Sequence, residues 1–69
     1  MIGVYKTNVG DPFQANAIRE SLVDQYVDLR INFDLEDCDR ILRVEGERFC
    51  EDEIIDSVNS LGFECSILV

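Results

Sequence analysis

The chain has no histidine and no tryptophan, a single proline, a single methionine, and only six basic residues in sixty-nine. The missing histidine removes the usual general base at neutral pH and the commonest metal ligand, so histidine triads and histidine zinc sites are excluded. No glycine-rich loop offers to cradle a phosphate, and no serine or cysteine has an identifiable base beside it. We therefore expect a protein that is not an enzyme and carries no cofactor. Against six bases stand fifteen acids, a formal charge of −9, which repels phosphate backbones and anionic lipid surfaces. Neither nucleic acid nor membrane is expected as a partner. The opening Met1 to Tyr5 is strand-like and Lys6 follows at once, so no apolar run there suits a leader or a span. Three cysteines, Cys38, Cys50 and Cys65, are odd in number and far apart, which argues against a disulfide framework and for a reducing, cytoplasmic setting.

What is present is a single run of elements spanning 1–69 as one small domain, uninterrupted by linker or repeat. Residues 27 to 35 alternate Val27, Leu29, Ile31, Phe33 and Leu35 with polar neighbours, the period of a strand with one buried face. After the polar turn 36–39, residues 40 to 45 continue as a partner strand with Leu42 and Val44 inward. Residues 12 to 26 place Ala15, Ile18, Leu22 and Tyr26 on one helical face. A second helix follows Cys50. Phe49 is placed to staple onto Ile54, three acids sit in its first turn, and Gly62 is positioned to close a Schellman motif with Phe63 near Val58. A last strand is expected over 64–69. The first strand is ambiguous, since Ile2 and Val4 suggest one inward face and Tyr5, Thr7 and Val9 the other; a bulge or an exposed aromatic would reconcile them.

Strand, helix, strand, strand, helix, strand is the α+β, ferredoxin-like βαββαβ arrangement. Right-handed crossovers give an antiparallel four-stranded sheet of order 4-1-3-2, with both helices on one face. This topology gathers the loop 8–11, the hairpin turn 36–39 and the Gly62-Phe63 turn at one end, where a site is expected. The open face of the sheet, with Tyr5, Ile41 and Leu68 expected on it, leaves room for a monomer or a weak homodimer.

Tyr5-Lys6-Thr7-Asn8-Val9, the helix with Ile18 and Leu22, and Ile54-x-x-x-Val58-x-x-Leu61-Gly62-Phe63 together resemble a heavy-metal-associated domain, the fold of small copper chaperones. The resemblance spans nearly the whole chain. It implies a metal loop Met-x-Cys-x-x-Cys before the first helix, whose methionine position falls here on Val9 and whose cysteine positions fall on Asp11 and Gln14. Both thiolates are missing, and an Asp/Gln pair offers only hard oxygens where copper(I) selects sulfur. Asp11 is instead suited to cap the first helix by accepting from the Gln14 amide, with Gln14 returning a bond to the Asp11 amide and Pro12 at the first helical position.

The remaining thiols do not rebuild a site. Cys38 and Cys65 fall on opposite sheet edges, ~14 Å apart by strand spacing, whereas a disulfide needs Cα atoms about 4.4–6.8 Å apart. Cys65 reads as a small core residue and Cys38 as exposed. Cys50 begins the second helix beside three acids, which oppose thiolate formation. Asp34, Glu36, Asp37 and Asp39, with Asp11 and Glu64, make the loop end acidic. A calcium loop starting at Asp34 fails because Asp39 stands where the turn needs glycine.

The expected function is a non-catalytic interaction module, without the soft-metal site, that docks a basic protein surface through Asp11, Asp34, Glu36, Asp37, Asp39 and Glu64. A second reading is a metal carrier using nonstandard ligands, Cys38 with Asp11 across the loops. A third is an ACT-like small-molecule sensor, which shares the topology and has an Asp and a Pro after its first strand, here Asp11-Pro12.

Overall fold

The structure is a computed structural model and describes residues 1–68; the expectation for Val69 lies outside them. The elements run β1 (Ile2–Thr7), α1 (Pro12–Gln25), β2 (Arg30–Asp34), β3 (Ile41–Glu45), α2 (Glu51–Ser60) and β4 (Cys65–Ile67). The strands form an antiparallel sheet of order β2-β3-β1-β4, the expected 4-1-3-2 order read from the other edge. Both helices lie on one face. Ala15, Ile18 and Leu22 of α1 and Ile54 and Val58 of α2 meet Tyr5, Ile31, Leu42 and Val44 of the sheet in one buried cluster.

The ambiguity of β1 resolves without a bulge. Ile2 to Tyr5 pair in unbroken register with Glu45 to Leu42, and Gly3, Tyr5 and Thr7 all face inward. Tyr5, expected on the open face, is 0% exposed. The reason is Gly3, two residues earlier on the same face. A methyl there would stand 2.9 Å from Tyr5 Cε2 and Cζ, closer than packed carbons approach. The missing Cβ leaves a slot into which the ring folds back along its own strand.

Other boundaries also move. Val27 is 84% exposed, because the Leu29 amide donates to the Tyr26 carbonyl at 3.2 Å and holds 27 and 28 in a turn, so β2 begins at Arg30. At its far end β2 stops where Asp34 accepts from the Glu36 amide at 3.2 Å, a local bond that competes with the ladder. Arg40 has φ of 46° and belongs to the turn, which delays β3 to Ile41. Among the described residues β4 runs over Cys65–Ile67, starting one residue after the expected Glu64.

The second helix ends as its sequence indicates. Gly62 has φ of 94°, its amide donates to Asn59 O at 3.0 Å, and the Phe63 amide donates to Val58 O at 3.4 Å; this is the Schellman pattern. Phe49 and Ile54 both join the core cluster.

Candidate functional site

The loop end is tied together by two side chains of the β1 exit. Thr7 is a polar residue on a buried face, so both its hydrogen-bonding capacities need partners. Its Oγ1 donates to the Arg40 carbonyl and accepts from the Val9 amide at 3.3 Å, while its own amide donates to Asp39 O at 3.1 Å. Asn8 Oδ1 accepts from the Glu64 amide at 2.8 Å. Thr7 thus fastens the loop 8–11 to the hairpin turn, and Asn8 fastens it to the turn before β4. Neither role was assigned from the sequence. The available signal was the position of Thr7 in the inward alternation with Tyr5, a polar group that a core must satisfy.

At the start of α1, Asp11 Oδ1 accepts from the Gln14 amide at 2.9 Å and Pro12 is the first helical residue. The return bond differs from expectation. Gln14 Oε1 accepts from the Gly10 amide at 2.8 Å, one residue earlier than the Asp11 amide of a standard capping box. The longer reach clamps the loop as well as the helix. Phe13, between these two residues, projects outward and is 88% exposed.

The acids of this end divide by occupation. Asp11 caps α1. Asp34 accepts from the Glu36 amide, and Asp37 Oδ1 accepts from the Asp39 amide at 2.9 Å. Asp39 lies 3.7 Å from Lys6 Nζ. The carboxylates of Glu36 and Glu64 are exposed and make no hydrogen bond or ion pair among the described residues. Arg40 is turned inward across the hairpin, Nη1 donating to Leu35 O at 3.2 Å, and so does little to neutralise the outer rim.

Cys38 is exposed at the tip of that hairpin. Its sulfur and one oxygen each of Asp37 and Asp39 lie within 4.8 Å of one another. Asp11, expected as its partner across the loops, does not join them. Cys65 is half-buried against the core, and burial pushes its thiol up to about 11. Cys50 is the N-cap of α2 but makes no capping bond through its side chain. All three are free thiols.

One buried group stands apart from the loop end. The Tyr5 hydroxyl has no hydrogen-bond partner among the described residues. Burial holds its phenol well above the ordinary range, and the charge of the nearby Glu51 carboxylate adds to the rise without closing a geometrically sound bond to it.

No sequence-family model matches the chain, and no curated protein sequence does. Its fold does have a solved counterpart. The solution structure of the yeast copper transporter domain Ccc2A, determined in apo and Cu(I)-loaded states, superposes with a TM-score of 0.83 over 99% of this chain and 94% of that one. The two share 17% sequence identity. The likeness establishes the fold, a ferredoxin-like α+β sandwich shared with that domain.

Proposed function

We propose that this domain is a non-catalytic interaction module, using the heavy-metal-associated frame to present an acidic end to a basic protein surface. One observation carries the reading: Asp11 and Gln14, at the positions that would hold thiolates, are both spent on capping α1 and clamping its loop, while Glu36 and Glu64 project unengaged from the adjoining turns. Oxygen donors already committed to backbone amides make a poor soft-ion site. An unneutralised acidic rim, by contrast, steers basic partners and weakens with salt, the Debye length being roughly 8 Å at physiological ionic strength.

Titration of the isotope-labelled protein with an oligolysine peptide tests it. The amides of 8–11, 36–39 and 62–64 are expected to shift at low salt and to return at high salt. The double reversal Glu36→Lys, Glu64→Lys should reduce the apparent affinity at least tenfold. Shifts spread over the whole surface and indifferent to that reversal would refute the reading.

The grouping of Cys38 with Asp37 and Asp39 favours one rival, a carrier of a borderline ion such as zinc. Titrating the reduced protein with zinc and with copper(I) separates the two. Stoichiometric binding tighter than micromolar, lost in Cys38→Ser, would replace docking by metal carriage.

A further inference from the structure

The uncovered face of the sheet differs in chemistry from the rest of the molecule. Register places Ile2, Val4 and Lys6 of β1, Arg30, Asn32 and Asp34 of β2, and Ile41, Arg43 and Glu45 of β3 on that side, opposite the helices. Three of the chain's six bases are therefore there, with two of its fifteen acids. Six less three and fifteen less two leave three bases against thirteen acids elsewhere, so the sheet face is +1 and the remainder −10; with Asp39, ion-paired to Lys6 at 3.7 Å, counted on the face, it is neutral and the remainder −9. Val4 is half-buried at its centre beside Arg43, Ile41 is half-buried toward the loop end opposite Asp34, and Ile2 is 63% exposed at the other margin. Val4, Ile41 and Arg43, with Asn32 and Asp34, line a shallow groove of about 250 Å³.

We propose that this face pairs with the same face of a second copy of the chain. The charges decide the occupant. A strongly acidic protein repels itself through nearly every surface, and this is the side on which two copies meet without that repulsion. Packing sheet to sheet also sets both pairs of acidic helices on the outside, as far apart as a contact permits. The face is self-complementary as a twofold contact requires: Arg30 and Arg43 of one copy can meet Asp34 and Glu45 of the other, around Val4 and Ile41. Four strands at about 4.8 Å and five residues at about 3.3 Å give roughly 300 Å² in projection, well below a standard interface of about 800 Å² per partner. The dimer is accordingly weak and concentration-dependent. It uses no residue of the loop end except Asp34, and its salt dependence has the opposite sign to docking there.

Sedimentation equilibrium from about 10 µM to about 1 mM, with the thiols kept reduced because Cys38 and Cys50 are exposed, tests the proposal. The mass is expected to rise from 7.9 kDa toward twice that value, and to rise further with added salt, which screens the net repulsion. Val4→Asp should restore the monomer at every concentration with an unchanged circular dichroism spectrum. Arg43→Glu, an exposed substitution that leaves the apolar packing intact, should do the same if Val4→Asp disturbs the fold. A monomeric mass throughout, or a dimer that survives both variants, overturns the proposal. So does a monomer whose sheet-face amides shift on adding oligoglutamate, which would assign the face to an acidic partner instead.

Discussion

Replacing Asp11 by alanine removes the acceptor for the Gln14 amide and is expected to cost about 1 kcal/mol of stability, read by urea unfolding. Thr7→Val keeps the shape of the side chain but leaves the Arg40 carbonyl and the Val9 amide without their partner, so the same measurement should show a loss of about 1–3 kcal/mol. Tyr5→Phe should behave in the opposite sense. It removes a hydroxyl that is buried without a partner, so stability is expected to hold or rise. Titration follows from the same burial. Cys65 and Tyr5 both have raised values in the folded state, so the unfolded chain loses those protons first as pH rises. Their stabilising contribution is complete below the ordinary thiol value of 9.0 and fades as pH climbs to about 11 and beyond. Melting temperature should therefore fall over that alkaline window, and fall less in Cys65→Ala than in the parent relative to each protein's own neutral value. At this scale the sequence was legible where a residue acts locally, as with the Asp11 cap and Gly62. It was silent where partners are far apart in the chain: Thr7 with Arg40 and Asn8 with Glu64 are separated by 33 and 56 positions, and no local pattern encodes such a bond.

Among the elements, the helices were the most readable, because each buries a stripe at regular spacing and has one recognisable cap, Asp11 at the start of α1 and Gly62 at the end of α2. Gly62→Ala tests one of those ends. Nothing lies within 4 Å of the added methyl, so any loss is backbone strain at a φ of 94°, expected at about 1 kcal/mol in thermal melts. Gly3→Ala probes the contrary case, a methyl driven into the Tyr5 ring, and should cost about 1–3 kcal/mol through overpacking. The first strand could not be oriented from its alternation, since Ile2 and Val4 are as apolar as its true inner face; the slot left by Gly3 settles the matter and is visible only once the strand is built. The second strand was overextended at its start because Val27 keeps the apolar alternation while the bond from the Leu29 amide to the Tyr26 carbonyl holds the backbone in a turn. Capping of α1 was legible, but the partner of Gln14 was not, as the Gly10 and Asp11 amides are both within reach of a glutamine side chain.

At the scale of the whole molecule, element order was sufficient for the topology, and net charge for the sign of the loop end. The asymmetry between an acidic body and a near-neutral sheet face was not visible in the net charge of −9, because it depends on which face of each strand the bases occupy. That asymmetry makes salt a diagnostic of the two proposals: added salt is expected to weaken docking through the loops and to strengthen pairing through the sheet. The two edges of the sheet bear on what kind of assembly can form. Among the described residues β4 offers three to an incoming strand, and β2 begins and ends with charge at Arg30 and Asp34. Short or charged edges resist strand addition, so concentrating the protein should lead to closed pairs and a clear solution rather than to fibres, with no thioflavin signal as the mass increases.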